Sequence, residues 1–246
     1  MARMLGRTAV VTGAAQGLGE AIARALGARG ANVVLADVNE DGARRVAGEI
    51  DAATRAVVAD VRDPAAIERL VGEAEDAFGQ IDILVNNAAR TVSRPLWEIP
   101  LDEWDDVLDT NLRSVFLACQ LVGPRMREQG WGRIVNMASL AGQQGGAVAG
   151  AHYAASKAGI VVLTKIAAAG LAAHGVTVNA VAPAAISGPI MDAMPKERVD
   201  ALAARIPVGR VGRPVEVAEL VAFLASEDAG YVTGATFDIN GGLLMR

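Results

Sequence analysis

Thr8-Ala9-Val10-Val11-Thr12-Gly13-Ala14-Ala15-Gln16-Gly17-Leu18-Gly19 runs a short β-branched stretch directly into three glycines. A helical pattern follows from Gly17 to Arg29, with Ile22 and Leu26 on one face. Glycines in such a turn let the backbone bend sharply and come close to a pyrophosphate. The helix that follows offers free N–H groups and a partial positive charge. A bend with no ligand can use the same glycines. Strand, turn and helix in this order open a βαβ unit, and that context gives the trio its meaning.

The next strand pattern, Asn32 to Ala36, ends at Asp37, eighteen residues beyond Gly19. A carboxylate there can accept hydrogen bonds from ribose hydroxyls and repels a 2′-phosphate. Ala14, Ala15, Gln16, Val38 and Asn39 supply no cation, so NAD is expected rather than NADP. Asp37 as a helix N-cap is an alternative that can coexist with this role.

Further strands are read at Arg55–Ala59, Ile81–Val85, Arg133–Met137, Val176–Val181 and Thr236–Ile239. Helical patterns cover 64–78, 102–128, 153–173 and 214–225. Nearly continuous apolar strands alternating with helices predict an α/β, doubly wound parallel sheet covered on both faces. Neither a linker nor a repeat divides residues 1–246, so a single domain is expected. Residues 184–213 break the rhythm with several Pro and Gly around a short helix, Lys196 to Arg205, and are expected to form a lid. Ile190, Met191 and Met194 there suit either an apolar substrate region or the packing face of a lid helix.

Composition narrows the class. The chain has 246 residues, 52% hydrophobic and 21% charged, with a net charge of -5, which suits a folded globular protein. No basic stripe offers itself to nucleic acid. Cys119 is the single cysteine and sits in an apolar run, so it reads as a buried small hydrophobe. The N-terminus lacks a signal-peptide pattern. The apolar stretch 158–173 contains Lys165, is too short to cross a bilayer and reads as a buried helix. A cytoplasmic location, no membrane partner and no metal site are expected.

Tyr153-Ala154-Ala155-Ser156-Lys157 carries the chemistry. Tyrosine and lysine four apart share one helical face. The chain has two tyrosines and only three lysines, Lys157, Lys165 and Lys196, so the pairing is not a product of abundance. A free phenol has a pKa of about 10, too high for a base near neutrality. A nearby ammonium is expected to pull it down, letting Tyr153 take a proton from an alcohol as hydride leaves, and return it in reduction. Without Lys157 the tyrosine would read as a helix-surface aromatic. Ser139 ends a strand at the same sheet edge, where its hydroxyl can hold a substrate oxygen. A plain turn serine is the other reading. Asp60-Val61 and Asn86-Asn87-Ala88-Ala89 end two other strands at that edge, where ligands bind in such sheets.

With these segments the chain resembles the short-chain dehydrogenase/reductase family over essentially its whole length. The ending, Tyr231-Val232-Thr233-Gly234 through Asp238-Ile239-Asn240-Gly241-Gly242, adds to the likeness. The resemblance implies a Rossmann-type seven-stranded sheet, a homotetramer and a catalytic tetrad of Asn111, Ser139, Tyr153 and Lys157. Asn111 is implied to kink a helix and anchor a water leading to the lysine. Residue by residue, cofactor contacts are implied for Gly13, Gln16, Gly17, Leu18 and Gly19 in the turn, and for Asp37. They extend to Asp60 and Val61 at the adenine, and to Asn87, Ala88 and Ala89. Tyr153 and Lys157, the latter on the nicotinamide ribose, and Pro183 and Ile186 complete the set.

Three positions depart from the family pattern. Ala89 and Ala184 replace usual glycine-containing segments. Gly188 stands where a threonine commonly holds the carboxamide, with Ser187 as a substitute. The nearest branch contains NADPH-dependent 3-oxoacyl-[acyl-carrier-protein] reductases and secondary-alcohol or sugar dehydrogenases. Asp37 favours the latter. His174 lies where a carrier-docking arginine is usual, although Arg125 and Arg127 remain on another helix. Gln143, Gln144 and the glycine-rich stretch to Gly150 are placed at the pocket wall. The apolar helix 153–173 is expected at a subunit interface. A non-catalytic dinucleotide sensor on the same fold is a further alternative, set against the presence of both Tyr153 and Lys157.

Overall fold

In the computed structural model, which describes residues 4–145 and 149–245, every expected strand is present. In chain order the first elements are β1 (Thr8–Thr12), α1 (Gly17–Gly27), β2 (Asn32–Asp37), α2 (Glu40–Gly48), β3 (Thr54–Val58), α3 (Pro64–Phe78) and β4 (Ile83–Asn86). Then come α4 (Leu101–Leu108), α5 (Ser114–Gln129), β5 (Gly132–Met137), α6 (Ala141–Gln144) and α7 (Ala151–Leu171). The chain ends with β6 (Val176–Pro183), α8 (Pro189–Asp192), α9 (Lys196–Ala203), α10 (Pro214–Leu224) and β7 (Thr236–Ile239).

The strands form one parallel sheet of order β3-β2-β1-β4-β5-β6-β7. Alternating side chains feed two cores. Val10, Val34, Leu84, Ile134 and Val178 face α3, α5 and α7 through Ile67, Leu70, Met126 and Ile160. Val11, Val33, Leu35, Ile83 and Val135 face α1 and α10 through Ile22, Leu26, Val217 and Val221. Burying such a side chain contributes roughly 1.5–3 kcal/mol, so both layers are bound tightly to the sheet. The strand order reverses between β1 and β4, which opens a crevice at the carboxyl ends of the strands.

Three expectations change in detail. The helix expected over 102–128 is divided into α4 and α5 by a π-turn at Asp109–Arg113. The apolar segment expected to be too short to cross a bilayer belongs to α7, which with the turn to His174 meets that length and composition. It lies on the sheet instead, burying Ser156, Lys157 and Ile160 while Val162 and Ile166 stay exposed, so only one face of it is buried. Asp37 is not an N-cap: Asn39 caps α2, accepting from the Gly42 N–H. Cys119 is buried as expected, and desolvation pushes its thiol up to about 12, which makes it a poor nucleophile.

Candidate active site

The glycine turn bends over the carboxyl edge of the sheet for steric reasons. Gly13 has φ +67, and a Cβ on it would meet the Ala88 Cα at 2.8 Å. A Cβ on Gly19 would lie 1.9 Å from the Gly13 carbonyl oxygen, so only glycine lets α1 start this close to β1. Gln16 precedes α1 without a side-chain cap, leaving the helix end to a ligand or water. Leu18 packs toward the core, so its contribution to the turn is backbone. Asn87 bolts the turn to β4, donating from Nδ2 to the Thr12 and Gly13 carbonyls at 2.9 and 3.1 Å. The Asn87 and Ala88 N–H groups donate to Thr12 Oγ1.

Asp37 takes part in the same turn. Its Oδ2 accepts from the Ala15 N–H at 3.0 Å and its Oδ1 from the Asn39 N–H at 2.9 Å. An ionised carboxylate has about four acceptor sites, so it retains capacity for ribose hydroxyls. Asp60 is already bonded by Arg62, whose guanidinium holds its carboxyl below the usual range, and Arg62 continues to Asp106 at 2.6 Å. Val61 is buried beside it. An uncapped helix end, a cradle that a Cβ would fill and a carboxylate at the end of β2 fit a dinucleotide.

The candidate proton-transfer groups meet at the ends of β5 and α7. The partly buried Tyr153 phenol has the side chains of Ser139 and Thr91 beside it, both of which favour its ionised form. Ser139 Oγ also accepts from the Ala141 N–H at 3.2 Å. Lys157 is buried, with Nζ 5.6 Å from the centre of the Tyr153 ring, and donates to the Met137 carbonyl at 2.6 Å. Asn111 lies in the π-turn, a geometry that often marks functional positions. Its amide brackets Arg90, accepting from the N–H at 2.7 Å and donating to the carbonyl at 3.0 Å. It also donates to Ser156 Oγ at 3.1 Å, and Ser156 donates in turn to the Tyr153 carbonyl at 2.7 Å.

The electrostatics correct one expectation. The Tyr153 pKa is raised by desolvation, with Ser139 and Thr91 pulling weakly the other way. Burial also lowers Lys157 to about 8. The lysine stays mostly charged at neutral pH, but its hydrogen bond goes to Met137 rather than toward the phenol, and desolvation of the phenol is the larger effect. The lysine alone therefore does not make this tyrosine acidic.

Pro183 ends β6, and its carbonyl accepts from the Leu140 N–H at 2.9 Å. Ile186 bridges to Gly212, which ties the start of the 184–213 segment to its end. A Cβ on Gly17 would lie 3.7 Å from Pro189 Cδ, so this segment stands over the glycine turn. Gln143, expected at the pocket wall, donates to Asp238 on β7. Residues 146–148 and the Ile190 side chain lie outside the described part. Ala89 and Ala184 are unstrained substitutes, since no described non-glycine residue has a positive φ.

Gly188 is different. Its φ of +150 with ψ -174 is accessible essentially to glycine alone. Gly188→Thr is therefore expected to cost about 1–3 kcal/mol in urea denaturation without tightening NADH binding. An unchanged midpoint together with tighter NADH would refute this.

Sequence reading did not single out Thr91, Ser156 or His152. Thr91 had a faint signal in following the Asn86-Asn87-Ala88-Ala89 segment, and Ser156 in sitting between Tyr153 and Lys157. The contacts of His152 had no local signal.

A parallel sheet with this strand order, a glycine turn at its switch point and a Tyr–Lys pair with its lysine buried at the same edge define a dinucleotide-dependent oxidoreductase fold. The chain belongs to the short-chain dehydrogenase/reductase family. A family described as "Enoyl-(Acyl carrier protein) reductase" matches residues 13–244. The 2-dehydro-3-deoxy-L-rhamnonate dehydrogenase (NAD(+)) of a Sphingomonas species is 43% identical, over 98% of this chain and 96% of that one. The 3-oxoacyl-[acyl-carrier-protein] reductase FabG of Salmonella typhimurium is 41% identical, over 98% of both. The crystal structure of levodione reductase superposes with a TM-score of 0.93 at 35% identity, covering 98% of each chain.

Proposed function

We propose that this oxidoreductase uses NAD to interconvert a secondary alcohol and a ketone, with Tyr153 as general acid/base. The observation that carries this reading is the convergence of Tyr153, Ser139 and Lys157 at the carboxyl edge of the sheet that also bears the glycine turn. Bound NAD supplies the hydride acceptor and a positive charge near the phenol. In this proposal Ser139 and Thr91 orient the phenol, and Ser139 holds the substrate oxygen. Tyr153 takes the hydroxyl proton. Lys157 would hold the nicotinamide ribose and carry that proton on from Tyr153 toward solvent, which regenerates the base, and Asn111 braces the Tyr153 carbonyl through Ser156. Gly13, Gln16, Gly17, Leu18 and Gly19 receive the pyrophosphate, with Asn87, Ala88 and Ala89 fixing the turn. Asp60 and Val61 border the adenine, and Pro183 and Ile186 the nicotinamide. Residues 184–213 close as the lid within one domain.

Two features support NAD over NADP. Asp37 stands at the ribose end, and the cation beside the turn is spoken for. Arg45 donates to the Ala15 carbonyl at 3.2 Å but is paired with Glu20 at 2.8 Å. Asp37→Ala is expected to lower kcat/KM for NAD about 10- to 100-fold, the worth of hydrogen bonds to a charged group. NADP should be used relatively better than before. An unaltered NAD/NADP ratio would remove Asp37 from cofactor choice.

The second reading is an NADPH-dependent 3-oxoacyl-[acyl-carrier-protein] reductase, favoured by the FabG relatives. Against carrier docking, Arg125 is engaged with Glu75 at 2.8 Å. The test is one plate. It sets NAD against cyclohexanol, 3-hydroxybutyrate and a 3-deoxy sugar acid, and NADPH or NADH against acetoacetyl-CoA. NADH formation from an alcohol supports the first reading. Preferential NADPH oxidation by the thioester supports the second. Tight NAD binding with no turnover on any member favours a sensor. The exposed side of α7, with Val162 and Ile166, and Phe116 on α5 support a homo-oligomer, with a tetramer as the proposed form in the cytoplasm.

A further inference from the structure

The residue before Tyr153 is a fully buried histidine that the proposed reaction does not use. Helix α7 begins at Ala151 after Gly150, which offers no side-chain cap. The first N–H groups of a helix have no intrahelical partner. The first bond within α7 is the Ala154 N–H to the Gly150 carbonyl, 3.1 Å. The Tyr153 N–H is thus one of the orphans, and it donates to His152 Nδ1 at 2.9 Å. On the far side of the ring, Nε2 lies 3.2 Å from Glu103 Oε1 on α4. Arg94 grips that carboxylate with two bonds of 2.7 and 2.9 Å and holds it below the usual carboxylate range. The ring packs against Gly150, where an added Cβ would come within 2.3 Å of it, so a glycine is what admits the ring at this helix end. The Gly150 N–H also donates to the Val92 carbonyl at 2.9 Å, fastening the same helix end to the segment that follows Thr91.

A neutral imidazole has one donor and one acceptor nitrogen, and its two partners decide which is which. A peptide N–H at Nδ1 requires a lone pair there. A carboxylate at Nε2 requires a proton there. We infer that His152 is a positioning residue for Tyr153: its neutral ring, protonated on Nε2, is held by Glu103 and Arg94 and fixes the first turn of α7 through the Tyr153 N–H. The assignment rests on the reading that Tyr153 exchanges the proton. Small displacements of a reacting group are costly, on the order of a hundredfold for an ångström.

The chain has only two histidines, so ring ¹⁵N spectra of the whole protein separate His152 from the exposed His174. The expected spectrum shows His152 with a bare Nδ1 and a protonated Nε2. A proton on Nδ1 overturns the inference. Two near-isosteric variants then divide the ring's duties. Asparagine places an acceptor where Nδ1 stood, whereas glutamine places a donor where Nε2 stood. With NAD and whichever panel alcohol turns over fastest, His152→Asn is expected to keep kcat within about threefold, and His152→Gln to lose about tenfold or more, with KM for NAD unchanged in both. Equal kcat in the two variants, or a loss confined to KM, overturns the inference. The failure of the functional reading is seen separately, as retained turnover in Tyr153→Phe.

Discussion

Tyr153→Phe is expected to bind NADH as the wild type does and to lose about 10²- to 10⁴-fold in kcat, the usual worth of a general acid/base. The variant keeps the ring and removes only the hydroxyl that lies beside Ser139 and Thr91. Cofactor binding is expected to survive, because the turn around Gly13 and Gly19 is built independently of the phenol. The raised pKa of Tyr153 adds a second measurement. In the cofactor-free chain, burial keeps the phenol protonated to higher pH than a free tyrosine. NAD brings a positive charge beside it and should shift phenolate absorbance to lower pH. The wild-type minus Tyr153→Phe difference spectrum isolates this band from Tyr231. Wild-type turnover in the variant, or no NAD-induced shift, would sink the acid/base role.

Lys157→Met is expected to abolish turnover to a similar degree while costing little stability at neutral pH. Burial moves the ammonium from its ordinary 10.5 to about 8. That corresponds to roughly 3 kcal/mol paid by the folded state wherever the group is charged in both states. Replacement by methionine removes this cost but leaves the Met137 carbonyl without its donor, a loss of about 1–3 kcal/mol. The two nearly cancel. The pH dependence has a definite sign. Below pH 8 both states hold the proton and the wild type bears the full penalty. Between about 8 and 10.5 the unfolded chain holds a proton that the folded chain has released, so wild-type stability rises with pH. Urea denaturation at pH 7, 9 and 10 should therefore show the wild type gaining on Lys157→Met as pH rises. A constant difference would mean that the lysine is not desolvated.

Most of the sheet was readable in advance because its signals are local. Continuous β-branched runs separated by amphipathic stretches force a covered parallel sheet, and the observed strand boundaries differ from the expected ones by only one or two residues. The helix read over 102–128 is the instructive miss. Periodicity cannot reveal one extra residue in a turn, yet that π-turn carries Asn111 to Arg90 and Ser156. Asn111 entered only through resemblance.

By itself the chain's order of residues determined the fold class, the glycine turn, Asp37 at the end of β2 and the Tyr153–Lys157 spacing. Each depends on neighbours a few positions away and on the repeat of helix or strand. Tertiary structure alone decided which way the phenol titrates, since that turns on how completely Tyr153 and Lys157 are withdrawn from water. It also decided that His152 meets Glu103, 49 residues distant, and that Gly188 occupies a backbone region closed to threonine. Desolvation and long-range contact are properties of the assembled volume, and no local pattern encodes them.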